Sequence, residues 1–262
     1  MKFRLLKLSL ILVSASIRAQ LEYRMNFIVN VIGSVLSAGG ALVGLLILLG
    51  ENGSLGGWSY NEAMLVVGIF TLVQGFIGSC LQPNLNRIGE SIRTGTMDFD
   101  LLKPVDTQFF VSVRYVNIFR LTDVVVGLGL IIWAANGIAT ITPAGLALGM
   151  LLVGVALTIV YSIWFLLTTT AFWFVKVEHI TELFESSFQA GQFPVAVFPG
   201  WLRWLFTLII PVAFITTVPA ATIAGRVQPG SMLAACALGA TLAMISRLVW
   251  KRALKSYTSA SS

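Results

Sequence analysis

The feature that most constrains this chain is the length of its apolar runs. Val124–Ala135 and Leu146–Val160 contain no charged residue. A barrel strand would alternate apolar and polar residues over ~10-residue segments, and these runs do not alternate. Hydrophobic residues make up 57% of the 262 and charged residues 11%, against about 45–50% and about 25% in soluble domains. Too few polar residues remain to cover a soluble globule, and the chain is too apolar for disorder. The expected fold class is all-α: a polytopic membrane protein with one domain over 1–262.

A helix needs ~20 apolar residues to cross the hydrocarbon. That length predicts six transmembrane helices, near 27–49, 62–82, 115–136, 144–175, 178–197 and 230–250. The stretch 201–224 is also apolar, but Pro211 and Pro219 interrupt it. Broken backbone survives in lipid only where protein covers it or it lines a cavity. A re-entrant hairpin over 198–224, with Pro199, Gly200, Trp201 and Pro211 at its entry and break, is therefore expected before the last span. The rival reading makes 178–200 a cytoplasmic helix and 201–224 the fifth span; both give six crossings.

Lys and Arg set the orientation. Lys2, Arg4, Lys7, Arg18 and Arg24 precede the first span, Arg87, Arg93, Lys103 and Arg114 lie between the second and third, and Lys251, Arg252 and Lys255 follow the last. The segments 50–61 and 137–143 contain neither Lys nor Arg. Both termini and the 83–114 segment are expected to be cytoplasmic, with Arg203 and Arg226 as outer exceptions. The net charge of +6 then reflects anionic lipid rather than nucleic acid. Residues 2–24 place Arg4, Lys7, Ser14, Arg18 and Glu22 on one helical stripe with leucines mostly elsewhere. That pattern predicts an interfacial amphipathic helix rather than a cleaved signal peptide.

No phosphate-binding Gly-x-x-x-x-Gly-Lys-Ser/Thr, His-Glu-x-x-His or Cys-x-x-Cys is present, so no catalytic or metal site is assigned. The lone His179 reads as a polar residue near the cytoplasmic mouth. Asn52-Gly53-Ser54 is a weak match to a glycosylation sequon. Cys80 and Cys236 sit inside apolar runs and read as buried small hydrophobes rather than a disulfide. Glu178, Glu182 and Glu185 share a helix face, and Asp123 lies about two turns into the third span. Carboxylates at such depth need a partner or water. They are candidates for a translocation path or for structural pairing, Asp123 with Arg120 or Arg247. Gly40-x-x-x-Gly44 and Gly145-x-x-x-Gly149 suggest close helix packing.

The most informative segment is 83–114. It carries both signs of charge and the apolar residues Ile88, Ile92, Met97, Phe99, Leu101 and Leu102. Such a segment either docks a soluble partner through apolar anchors or packs on its own spans. Its residues Ile92-Arg93-Thr94-Gly95-Thr96-Met97-Asp98-Phe99-Asp100-Leu101-Leu102-Lys103-Pro104 resemble, without a gap, the loop of a poorly characterised bacterial subgroup of ABC-2-type ABC transporter permeases. The proline-broken stretch Phe193-Pro194, Phe198-Pro199-Gly200-Trp201-Leu202, Ile210-Pro211 and Val218-Pro219-Ala220 is similar to the later part of that subgroup.

The resemblance implies the membrane permease subunit of an ATP-driven exporter in the bacterial cytoplasmic membrane. It implies no enzyme activity and no cofactor on this chain, with ATP and Mg on a separate ATPase subunit. It also implies a second permease copy or related permease, and contact with lipid. Its ATPase-coupling residues would be Arg87, Glu90, Arg93, Gly95, Asp98, Leu101, Leu102 and Pro104. The competing class is a transporter driven by an ion gradient through Asp123 or Glu182, against which stands the absence of a visible inverted repeat. A membrane-embedded enzyme would need a clustered acid, His or Ser constellation, and none is evident. The cargo, whether lipid-like, drug-like or glycan, is not legible.

Overall fold

The computed structural model describes residues 14, 17, 20, 24–49, 53–174, 178–226 and 228–257, with only the backbone described at 24 and 178–182. The expected interfacial helix over 2–24 lies outside them, save for isolated positions such as Gln20. Asn52 of the sequon also lies outside. Among the described residues everything regular is helical, apart from one bridge between Leu55 and Trp58.

The first span is α1 (Arg24–Leu49). Helix α2 (Tyr60–Phe76) starts at a capping box: the Ser59 side chain accepts from Glu62 N, and the Glu62 carboxylate accepts from Ser59 N at 2.8 Å. A π-helical segment, Ile77–Leu81, joins α2 to α3 (Gln82–Arg93), so Tyr60–Arg93 is one helical rod of 34 residues. At ~1.5 Å per residue the rod is about 50 Å long, well beyond the ~30 Å of hydrocarbon. Short helices α4 (Met97–Leu101) and α5 (Thr107–Val113) return the chain to the third span, α6 (Leu121–Asn136). Helix α7 (Pro143–Thr169) follows, N-capped by Thr142. Then come α8 (Glu178–Phe188), α9 (Gly200–Trp204), α10 (Val218–Ile223) and the last span α11 (Pro229–Ser256).

Prolines shape the irregular parts by one rule. Among the described residues, π segments occupy Ile77–Leu81, Leu205–Ile209 and Ala213–Thr217. Each ends two positions before a proline: Pro83, Pro211 and Pro219. The residue just before each proline closes the wide turn, as Gln82 N donates to Ile77 O, Ile210 N to Leu205 O and Val218 N to Ala213 O. A proline ring clashes with the carbonyl four residues back, and the wider π turn moves that carbonyl aside. At Pro83 the released Ser79 carbonyl accepts from Asn117 N at 2.8 Å.

At Pro211 the break is complete. Ile210 turns extended, as residues before proline do, and the arms Gly200–Ile209 and Ala213–Ile223 are bent by 78°. Both ends of this element meet the segment after α1. Ala196 packs on Gly56, and Arg226 donates to Gly57 O at 2.9 Å and pairs with Glu62 at 2.7 Å. Between them Val212 reaches inward to Gly191 and Phe70. The segment thus enters and leaves by the same end of the bundle, as an open bend rather than a tight hairpin.

The stretch 178–197 departs from the expected fifth span. It runs from the Trp164–Phe184 contact, through Phe188 against Phe70, to Ala196 at Gly56. Only α8 within it is α-helical, and its 11 residues are too few to cross alone. The rest is short 3-10 turns at Gln189–Gln192 and Val195–Val197 around Pro194.

At the glycine positions, the closest backbone-to-backbone approach is between α2 and α6. A Cβ placed on Gly127 would lie 2.5 Å from Leu72 N, and one on Gly75 2.6 Å from Val124 N. Gly149 admits Ile223 of α10, so the second glycine pair is used. In the first pair, nothing in this chain lies within 4 Å of the Gly40 position, and Phe193 comes to 4.0 Å of the Gly44 position. Both cysteines are free, but Cys236 is exposed on α11 rather than buried.

Two outcomes follow. Gly127→Ala forces backbone against backbone and should lower the stability of the purified protein by about 1–3 kcal/mol, whereas Gly129→Ala, in open space, should change little; detergent-phase thermal unfolding compares them. Single cysteines at Gly200 and Ser231, in a background lacking Cys80 and Cys236, should react with an impermeant thiol reagent from the same side of sealed vesicles. Labelling from opposite sides would show that 200–223 crosses the membrane.

Candidate functional site

The far end of the α2–α3 rod carries the segment expected to couple to a partner. Helix α3 stops at Arg93, where Thr94 N bonds Glu90 O and Gly95 N bonds Ile92 O. Gly95 takes φ +72°, which a residue without Cβ adopts readily. The chain folds back, and Ile88 and Met97 are buried while Ile92 and Leu101 pack half-buried against the core. Asp100 is buried between Lys103 at 2.7 Å and Arg114 at 3.3 Å. Lys103 also lies over the Phe110 ring, and Arg87 over Tyr115 at 4.1 Å. Asp98 N closes the turn on Gly95 O at 3.2 Å.

Most of the segment's apolar residues therefore pack on the chain itself. Phe99 and Leu102 do not: they are 69% and 81% exposed. Arg87, Glu90, Arg93 and Pro104 are exposed beside them. Of the expected coupling residues, Gly95, Asp98 and Leu101 shape the turn, and the other five present it. Phe99 belongs with the presenting group, and its place in the apolar pattern already signalled it.

A polar brace fixes this unit to the spans. Asp106 caps α5, accepting from Phe109 N at 3.0 Å, and receives a two-pronged contact from Arg247 of α11. Arg247 also donates to Gln108 Oε1 at 3.0 Å, and Gln108 and Ser112 both bond the Tyr161 hydroxyl. Arg247 is thus not the partner of Asp123. The Arg247 hydrogen bond holds the Asp106 carboxyl below its ordinary 3.8.

Asp123 pairs instead with Arg120 at 3.6 Å, and the Ser34 hydroxyl donates to it. Asp123 shares a cavity of about 230 Å³ with Glu185, which accepts from Gln82 Nε2 at 2.6 Å. Gln74 and Gln189 also line it. Two acids singled out from sequence are therefore brought together, whereas the side chains of Glu178 and Glu182 lie outside the described residues. The neutral amides around them were not anticipated; their signal is only an uncharged polar residue within an apolar run. In the bent element, Pro199 precedes α9 as its N-cap residue, Gly200 begins it, Trp201 is 71% exposed, and Pro211 makes the break.

The apolar spans and the proline-broken element define a multi-pass membrane protein. Residues 35–261 match the model of the ABC-2 family transporter proteins, and the chain belongs to that family. No curated protein matches it.

Asp106 contributes stability above its unfolded pKa of 3.8, and that contribution is lost as pH falls through the lower folded value. At neutral pH, Asp106→Ala should cost about 1–2 kcal/mol, since it removes both a helix cap and an ion pair. Asp106→Asn, which keeps the capping oxygen, should cost less. The gap between wild type and Asp106→Ala should narrow below pH 3.8 in thermal unfolding across a pH series.

Proposed function

We propose that this chain is the permease subunit of an ATP-driven exporter, powered by a separate ATPase subunit that docks on 83–114. The basic end of the bundle is the cytoplasmic side by the positive-inside bias, with both termini there, in a bacterial cytoplasmic membrane. Two permeases, identical or related, assemble with the ATPases, which carry the ATP and Mg. The chain has no phosphate-binding loop of its own.

The observation that carries this reading is the pair Phe99 and Leu102, exposed at 69% and 81% beyond the length of rod that hydrocarbon can cover. Apolar side chains kept in water beside mixed charges suit an interface core with a polar rim. Because α4 is braced through Asp100 and α5 through Asp106, a push there is delivered to the spans rather than absorbed by a loose loop.

Phe99→Asp combined with Leu102→Asp should cut co-purification of the cognate ATPase subunit at least tenfold. Neither side chain packs on the core, so insertion and thermal stability should stay at wild-type levels. ATPase retained at wild-type stoichiometry would overturn the assignment. Leu101 is unsuitable for this test, because it is half-buried against the core.

A further inference from the structure

At the basic end of the rod a small cavity of about 50 Å³ opens between α3, α4 and the end of α5. Asn84, Arg87, Ser91, Asp100, Arg114 and Tyr115 supply its polar lining. The Tyr115 ring is held between two guanidinium groups, Arg87 at 4.1 Å and Arg114 at 5.1 Å from its centroid. Asn84 fixes the backbone there, donating to Tyr115 O at 2.6 Å and accepting from Tyr115 N at 2.8 Å. The charges around the cavity do not balance. Arg87, Lys103 and Arg114 surround it, and among the described residues Asp100 is the one carboxylate that pairs with any of them. Arg87 itself makes neither an ion pair nor a hydrogen bond through its side chain among the described residues. Stacking on Tyr115 occupies its face and leaves the N–H groups along its edge open. Arg114 turns only Nη1 to Asp100, so part of its fork is open too. Counting ~1.5 Å per residue from Ala63, just past the polar start of α2, ~30 Å of hydrocarbon ends near Pro83. Arg87 lies about 6 Å further, within the headgroup layer that brings a bilayer to ~40–45 Å.

We infer that this cavity holds the phosphate of an anionic phospholipid. Guanidinium edges recognise phosphate oxygens in a bidentate way, and Arg87 and Arg114 present two such edges on either side of one ring. The volume of about 50 Å³ exceeds the ~10–15 Å³ that admits one water and falls far below the ~300–1,000 Å³ of drug-sized pockets. It therefore suits one charged group, with the rest of the lipid outside. Three cations against one carboxylate favour a net-anionic headgroup over a zwitterionic one, whose ammonium would face the same cations. Beyond Tyr115 the chain enters α6, where Leu121, Val125, Leu128 and Ile132 are exposed at helical spacing, an apolar face for the acyl chains. A carboxylate on a docked ATPase is the rival partner. Depth favours the lipid, because a soluble subunit stops at the headgroup surface. Arg87 then serves the lipid rather than the ATPase, and the inference stands independently of the exporter reading.

The test uses the full-length protein alone, without ATPase or ATP, in nanodiscs of phosphatidylcholine doped with a minority of phosphatidylglycerol. Native mass spectrometry should find phosphatidylglycerol retained at least about tenfold over its bulk fraction, as two basic side chains beside an anionic lipid suggest. Arg87→Gln should abolish that enrichment while leaving thermal stability unchanged, because the Arg87 side chain is exposed. Arg87→Lys, which keeps the charge but loses the fork, should retain part of it. Arg252→Gln removes the same charge from an exposed position near the end of α11 and should leave the enrichment intact. Equal loss in Arg252→Gln would show attraction to the basic surface as a whole and overturn the site. Enrichment unchanged in Arg87→Gln would overturn it as well. A parallel arm adds glycerol phosphate to the doped discs: if the soluble phosphate displaces phosphatidylglycerol completely, the lipid assignment fails and the cavity takes a free phosphate. If Arg87→Gln instead keeps the lipid but loses the cognate ATPase subunit on co-purification, Arg87 belongs to the ATPase and the inference is wrong.

Discussion

Every backbone polar group inside hydrocarbon must find its partner within the protein, and the irregular parts of this bundle follow from how prolines are reconciled with that demand. Pro83, Pro211 and Pro219 each withdraw an N–H and crowd the carbonyl four residues back. Each is preceded by a wide π turn that opens the helix just enough. At Pro83 the cost is met locally: Asn117 N takes the Ser79 carbonyl, and Asn84 ties both Cys80 O and Tyr115. The rod continues straight through. At Pro211 no such crosslink holds the two arms in line among the described residues, and the element bends by 78°. The same residue type thus gives a braced joint in one place and a sharp bend in another.

That joint also positions the site. Asn117 and Tyr115 belong to the chain returning from α5, so the hydrogen bonds that repair α2–α3 also anchor the end of the coupling segment. The Arg247 brace ties the start of α5, within the same segment, to α11, and the Phe165, Phe172, Trp250 and Tyr257 rings close the same end, with centroids 4.9–5.8 Å apart. At the opposite end, Glu62 both caps α2 and binds Arg226, which is why an arginine can sit there against the prevailing charge bias. Its charge is already spent on a carboxylate, on Gly57 O and on the Trp58 ring.

Much of this was legible. The spans announce themselves because burial in lipid requires unbroken apolar length. The prolines marked the broken element correctly, because ring sterics act locally. Three things were not legible. The fifth crossing was expected over 178–197, yet Gly191 and Pro194 leave only α8 α-helical. The α2–α6 seam depends on Gly68, Gly75 and Gly127, whose spacing does not follow the familiar four-residue ridge, while Gly40 and Gly44, which do, have little against them. The partner of Asp123 was open between Arg120 and Arg247, because helical spacing favours the first and only tertiary structure places the second at Asp106.

The coupling segment shows why pattern alone stops short of function. Six apolar residues over 88–102 fit a docking surface and a self-packed turn equally well, and the fold divides them. Ile88, Met97, Ile92 and Leu101 turn inward because Gly95 reverses the chain and Asp100 draws Lys103 and Arg114 over the turn. That inward set makes the outward pair rigid. In the proposed coupling, Phe99 and Leu102 sit on a turn whose core is continuous with α3, and α3, which begins at Gln82, is continuous with the helix bearing Gln74. A displacement at the exposed pair is therefore carried by one rod into the wall of the polar cavity, with the π segment at Ile77–Leu81 lying between the two. Flexible loops dissipate such displacements; a braced turn on a continuous helix does not.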